Sequence, residues 1–290
     1  MRKRKHRFTD YDYEEVFKDP LELASEKTIE RLLQLGKMKS VYATKTIRAG
    51  SQFEVEIYPE FTKQQCQKYG IKKRNYQAQK NLNDKNSRKR LERLINANFK
   101  DGDLWITLTY DSDHLPGSME EALKNMKNYI RRINYRRKKA GLPQAKYIYI
   151  TEWNEKKKIR CHHHMIMDGA MSMDDVEKLW KCGKRNNVRR VAADEAGLSG
   201  LAQYLAKDPA GSKRWCSSLN LKKPKECKNY HAFRGCHVRK MVNDREEVRR
   251  MTERRYPKMR MLSCQIRYNE INGRYYIYVR MTERTGRRRQ

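Results

Sequence analysis

The sequence predicts an α+β fold in which helices pack on an antiparallel sheet. Three observations predict it. Between residues 101 and 210, strand-like and helix-like periods alternate in the order strand–helix–strand–strand–helix–strand–helix. The two central strands are separated only by the short lysine-rich stretch 154–160, which forces them antiparallel. Two further pairs of alternating segments, one on either side of this core, read as β-hairpins. The chain is therefore expected to comprise an N-terminal basic extension with a helix and hairpin (1–100), a core (101–210) and a basic C-terminal region with a second hairpin (211–290).

The elements follow in order. Residues 20–35 carry an uneven apolar stripe of Leu21, Leu23, Ile29, Leu32 and Leu33, which predicts a helix. Residues 40–48 and 52–58 alternate apolar and polar side chains around Ala49-Gly50-Ser51, a hairpin pattern. Residues 59–86 are polar and show no clear period, whereas 86–98 place Leu91, Leu94 and Ile95 at helical spacing. Asp101-Gly102-Asp103 is a turn before the strand Leu104-Trp105-Ile106-Thr107-Leu108-Thr109-Tyr110, rich in β-branched and aromatic residues. Ser118 can cap a helix whose first turn holds Glu120 and Glu121, as the helix dipole prefers. Leu123, Met126, Ile130 and Ile133 form its buried stripe, and Gly141-Leu142-Pro143 stops it. Strands over 146–153 and 161–168, a short helix over 173–180, a strand over 187–192 and a helix over 194–207 complete the core. Residues 208–260 read as irregular and basic, with one helix near 244–254. The segments 261–268 and 274–281 then flank an Asn-Gly turn, a strong hairpin signal.

Charge narrows the function. The chain has 67 Lys+Arg against 35 Asp+Glu, a formal net charge of +32. Such an excess repels itself in a compact fold and points to a polyanionic partner. Nucleic acid fits, because each neutralised phosphate releases condensed counterions. A membrane partner is not expected, since no apolar run comes near the ~18 residues that spanning requires. Seven cysteines, an odd number without paired spacing, and the absence of an apolar signal core predict a reduced, cytoplasmic protein. Cys216, Cys227, Cys236 and His237 fit no common zinc-finger spacing.

The chemistry concentrates in Arg160-Cys161-His162-His163-His164-Met165-Ile166-Met167-Asp168. Residues two apart on a strand share a face, so His162 and His164 point together and His163 points to the opposite one with Met165 and Met167. If the preceding loop is centred near Lys157, Glu152 lies opposite His162 and Ile150 opposite His164, at cross-strand Cβ distances of about 4.5–5.5 Å. Two imidazoles and one carboxylate would hold a cation with coordination positions left open. Mixed N/O ligation suits Mg²⁺ or Mn²⁺, while ligand type leaves zinc open. A polar strand edge bearing surface histidines is the plainer alternative.

A second group is Gly200-Leu201-Ala202-Gln203-Tyr204-Leu205-Ala206-Lys207-Asp208. Tyr204 and Lys207 are neighbours on one helix face. A phenol is a poor nucleophile near neutral pH, and a nearby ammonium favours its phenolate. Attack on a phosphodiester would leave a phosphotyrosine and free a 3′-hydroxyl. By itself a Tyr-x-x-Lys is weak, and its weight comes from following the histidine strand.

Taken together, these residues resemble the rolling-circle replication initiators of phages, plasmids and integrative elements, within the His-hydrophobic-His (HUH) endonucleases. Trp105 to Tyr110 looks like the family's first motif, a central structural strand. His162 to Met167 looks like its metal-binding motif, with Glu152 where a third ligand is often found, and Tyr204-Leu205-Ala206-Lys207 looks like its nucleophile motif. The stretch from Lys213-Arg214-Trp215 to Pro224 and the C-terminal hairpin look like those of initiators from Gram-positive bacterial elements. Two departures stand out: the usual hydrophobic between the histidines is His163, and one tyrosine replaces the pair that some phage initiators carry.

The resemblance implies a five-stranded antiparallel HUH-type sheet flanked by helices, and site-specific nicking and rejoining of DNA in a host bacterial cytoplasm. Tyr204 would be the nucleophile, assisted by Lys207, with Mg²⁺ or Mn²⁺ at His162, His164 and Glu152. Single-stranded and origin-hairpin DNA, and host helicase or polymerase, would be partners. Arg131, Arg132, Arg136 and Arg137 at the basic helix end, Lys156, Lys157 and Lys158 in the loop, and Lys213 and Arg214 would hold the DNA. A non-enzymatic nucleic-acid-binding protein is the rival from another class, and a single-tyrosine transposase or relaxase shares the same chemistry.

Overall fold

A computed structural model describes residues 8–9, 40–62, 76–154, 158–205, 215–269 and 274–284. The helix expected over 20–35, the DNA-contact residues Lys156, Lys157, Lys213 and Arg214, the catalytic Lys207 and the last residues of the tail lie outside them. The fold is α+β, with two antiparallel sheets and flanking helices. The chain divides into two units, residues 88–224 and residues 1–87 with 225–290.

The first of these carries the histidine strand. Its sheet has the order β7-β4-β6-β5-β8, formed by β4 (Leu104–Thr109), β5 (Tyr147–Asn154), β6 (Ile159–Met167), β7 (Asn187–Arg190) and β8 (Cys216–Ser217). The long helix α2 (Met119–Lys139) starts as expected, Ser118 accepting from the Glu121 N–H at 3.2 Å. Its Met126, Tyr129, Ile130 and Ile133 pack on Leu104, Ile106, Leu108, Met165 and Met167, the face of the sheet that also carries His163. The other face carries Trp105, Ile148, Ile150 and Ile166. It packs on Leu91 and Ile95 of α1 (Tyr76–Asn98) and on Ala202 and Leu205 of α4 (Ser199–Leu205). The short α3 (Met173–Lys178) buries Val176 on the α2 side.

Residues 1–87 with 225–290 build a second sheet of order β10-β11-β3-β2-β9, from β2 (Ser40–Ala49), β3 (Gln52–Thr62), β9 (Lys225–Asn229), β10 (Met259–Asn269) and β11 (Arg274–Glu283). A two-residue strand, β1 (Phe8–Thr9), joins β3. Helices α5 (Gly235–Met241) and α6 (Arg245–Arg255) contribute Val238, Met241 and Val248 to a core with Val55, Ile57, Ile277 and Val279. The two hairpins, expected as separate extensions, are thus neighbours: Ile57 pairs with Ile277 and Val55 with Val279. Local periodicity finds a hairpin but says nothing about which distant strand it will meet.

Two further differences have local causes. The helix expected over 194–207 begins only at Ser199, because Asp194 and Gly197 bond each other's backbone and Gly197 sits at φ 70°. The stretch read as irregular also contains β8, β9 and α5. β9 is exposed throughout, so it shows no alternation to read. No helix among the described residues is long and apolar enough to cross a membrane.

Candidate metal centre

Strand register brings the expected ligands together. Glu152 pairs with His162 and Ile150 with His164 across β5 and β6. Glu152, His162 and His164 offer ligand atoms that all lie within 4.8 Å of one another, a group that could hold a metal ion. Glu152 Oε2 is 3.2 Å from His162 Nε2, and Oε1 is 4.0 Å from His164 Nε2.

Each imidazole is aimed through its other nitrogen. His162 Nδ1–H donates to the Arg160 carbonyl at 2.8 Å, which leaves Nε2 for the carboxylate. His164 Nδ1 bonds Thr107 Oγ1 at 3.1 Å, from the facing position on β4. A bond of this kind fixes ring orientation and tautomer in metal sites. His164 Nε2 is buried and has no hydrogen-bond partner. Buried polar atoms are nearly always satisfied, so a divalent ion at this point supplies what the nitrogen lacks. The residues present fit a metal.

The electrostatics agree. Glu152 beside His162 holds that imidazole's pKa above its ordinary value, against the opposing effect of burial. Burial, and then the neighbouring His162, push His164 down to about 4. In the empty group His162 carries the proton that balances Glu152, and a metal ion would displace it.

His163 lies on the opposite face, as strand parity requires. That face is core rather than solvent, and His163 is 0% exposed. Its Nε2 meets the Tyr110 hydroxyl at 2.8 Å and its Nδ1 the Thr151 hydroxyl at 2.9 Å. The rings of Tyr110, Tyr149 and Trp180 surround it. Burial lowers its pKa to about 3, so it is a neutral structural residue.

Tyr204 reaches the metal face from α4. Its ring lies 5.2 Å from that of His164 and 6.0 Å from that of Trp105, edge-on to both, and the residue remains 45% exposed. Trp105 in turn stacks on His164 at 5.4 Å. The start of α4 is fixed by α1: Asn96 accepts from the Leu198 N–H at 2.8 Å and donates to Ser199 Oγ at 3.4 Å. Tyr147 and Tyr149 are packing residues, as expected, and stack on each other.

The arginines expected to grip DNA are placed otherwise. Arg137 is a correction: it is 1% exposed and bonds both carboxylate oxygens of Asp168 and the Pro143 carbonyl. An unpaired buried guanidinium would be costly, so this side chain belongs to the fold. Arg132 donates to the Leu179 carbonyl at 2.8 Å, and Arg136 lies 3.8 Å from Asp175. Arg131 is exposed. All four belong to α2, which packs on the His163 face, away from the metal group. Lys158, at φ 55°, closes the β5–β6 turn. Sequence reasoning missed the roles of Thr107 and Trp105, which it took only as parts of a strand. Their signal was parity, since odd positions of β4 share a face with His162 and His164. Among the described residues no cysteine group joins the candidate metal ligands.

Residues 103–209 match the family model for the replication-associated protein ORF2. The matched span contains Thr107, Glu152, His162, His164 and Tyr204. It supports a part in DNA replication. No curated protein and no solved structure matches the chain.

Proposed function

We propose that this protein is a rolling-circle replication initiator, a DNA nicking and closing enzyme with Tyr204 as nucleophile. One observation carries the reading. A half-exposed tyrosine on the helix after the histidine strand lies against His164, whose Nε2 is buried and unpaired beside Glu152. A non-enzymatic DNA-binding protein has no use for that arrangement.

Glu152, His162 and His164 would hold Mg²⁺ or Mn²⁺, which when bound neutralises a non-bridging phosphate oxygen and favours charge build-up at phosphorus. Thr107 and the Arg160 carbonyl keep the two imidazoles turned toward the ion. The Tyr204 oxygen attacks phosphorus, the P–O3′ bond breaks, and the 3′ oxygen leaves and takes up a proton. The 5′ phosphate stays on the tyrosine, so the bond is conserved and the step can be reversed by the freed 3′-hydroxyl. Lys207, three residues on, would favour the phenolate. Single-stranded DNA is the substrate, and the bacterial cytoplasm is the expected compartment.

The test is incubation with Mn²⁺ and single-stranded oligonucleotides tiled across the DNA that encodes the protein. A covalent protein–DNA adduct is expected with the native chain and none with Tyr204→Phe. An adduct that survives Tyr204→Phe would show that another residue attacks, and one undiminished by EDTA would remove the metal from the reaction.

A further inference from the structure

The α2 arginines face away from the metal group, so the strand that reaches Tyr204 needs another cationic surface. Residues 181–190 read Lys-Cys-Gly-Lys-Arg-Asn-Asn-Val-Arg-Arg, five bases in ten residues with no acid. This run forms β7 and the loop before it. We propose that Lys184, Arg185, Asn187 and Arg189 form a track for the backbone of single-stranded DNA, leading along the metal face to Tyr204. The inference rests on the nicking function proposed above and adds where the substrate lies.

Register supplies the first support. Asn187 pairs with Thr107, which pairs with His164. Arg189 pairs with Trp105, which pairs with Ile166. Directly paired residues on neighbouring strands share a face, so Asn187 and Arg189 lie on the face of the metal ligands. Neighbouring strands are about 4.8 Å apart, so β7 runs roughly 10 Å to the side of β6. The row of Arg189 passes through Trp105, whose ring touches Tyr204. Arg190 has the opposite parity and is fully used by the fold, donating to the carbonyls of Gly102, Gly169 and Met171.

The loop is also built rather than merely charged. Thr109, the register partner of His162, gives its N–H to Asn186 Oδ1 at 3.2 Å and its hydroxyl to the Arg185 carbonyl. Trp180 Nε1–H donates to the Thr109 carbonyl at 2.7 Å. Asp111 donates its N–H to the Cys182 carbonyl at 2.9 Å and accepts from the Lys184 N–H at 3.2 Å. A Cβ on Gly183 would collide with the Thr109 carbonyl, so only glycine lets the loop seat this closely. The loop is thereby fastened to the end of β4, beside the row of His162 and Glu152. Lys184, Arg185, Asn187 and Arg189 themselves remain exposed, and no carboxylate among the described residues pairs with the three cations. Rigid backbone with free cations is what a phosphate track requires: less freedom is lost on binding, and backbone contacts set register without reading sequence.

The experiment measures binding of a fluorescein-labelled oligothymidylate in EDTA on a Tyr204→Phe background, so that neither metal nor nucleophile takes part. Each phosphate contact to a single strand contributes about 0.7 to the slope of log K against log salt. The triple variant Lys184→Gln/Arg185→Gln/Arg189→Gln is therefore expected to bind at least about tenfold more weakly at moderate salt, with a slope shallower by about 2. The control Arg131→Gln/Arg136→Gln keeps both quantities. Unchanged Mn²⁺ affinity in the triple variant verifies that the metal face is intact. A triple variant with native affinity and slope overturns the track, and so does a loss carried by the α2 variant instead. Failure of the nicking reading looks different: no Mn²⁺-dependent adduct forms, while salt-linked binding still depends on β7.

Discussion

On one face of β6, His162 and His164 turn their Nε2 atoms toward Glu152. On the other, His163 gives one nitrogen to Tyr110 and the other to Thr151. The three residues are consecutive and chemically identical. Yet His163 is satisfied at both ends, whereas His164 is satisfied at Nδ1 by Thr107 and left open at Nε2. The difference teaches that burial alone does not make a metal ligand: both His163 and His164 are buried. What separates them is hydrogen-bond accounting, together with a carboxylate on the facing strand. The back-face network also ties the site together. Thr151–His163 sits one pair along from Glu152–His162, so the same two strands are joined through side chains on both faces.

The largest effect should come from removing the open side. The double variant His162→Ala/His164→Ala is expected to lose Mn²⁺ binding altogether, read by calorimetry or electron paramagnetic resonance, while a thermal melt shows a folded protein. Retained Mn²⁺ binding would mean that the group is a polar strand edge and not a metal centre.

Removing the closed side should do the reverse. His163→Leu leaves two buried hydroxyls, on Tyr110 and Thr151, without their partner. An unsatisfied buried group costs about 1–3 kcal/mol, so a loss of roughly 2–4 kcal/mol in urea unfolding is expected. Mn²⁺ affinity of the folded variant should stay close to native. Undiminished stability would mean that the hydroxyls find other partners and that the network is dispensable.

A finer contrast uses two threonines that each hold one histidine. Thr107→Val removes the partner of His164, and outer-shell losses in metal sites typically cost about 10–100-fold in affinity. Thr151→Val removes a partner of His163 and should lower stability by about 1–3 kcal/mol with little change in Mn²⁺ affinity. Equal effects of the two on metal binding would erase the distinction between the faces.

The front of this comparison was legible in the sequence, and the back only in part. A period of two assigned His162 and His164 to one face, and a short loop set Glu152 opposite His162; the register agrees at both pairs. Parity also sent His163 to the other face. It could not say that α2 would cover that face, because packing partners are set by tertiary structure. The same limit explains Arg137. Its place in a basic run suggested a surface, but a full turn of α2 lies on the sheet and Asp168 waits there. Conversely β7 was legible as a strand, yet its value lies in which residues pair with it, and pairing across 80 or so positions leaves no mark on local pattern.

Acid provides the mildest perturbation, and it acts on both faces at once. Burial holds His163 and His164 below their ordinary values, so between about pH 6.5 and 4 the unfolded chain binds protons that the folded one refuses. Their contribution is full above the unfolded value and is lost as the pH falls. His162 has the opposite sign. Its raised value favours the folded state at low pH and loses that contribution as the pH rises through it. Two groups oppose one, so stability should decline below about pH 6.5, each fully refusing histidine adding at most about 1.4 kcal/mol per pH unit. Urea midpoints at several pH values would measure the slope. His163→Leu should make the slope shallower, because one of the two refusing imidazoles is gone. In the same pH range Mn²⁺ binding should weaken as protons reclaim His162. A slope that His163→Leu leaves unchanged would mean that the acid sensitivity belongs to groups outside this strand.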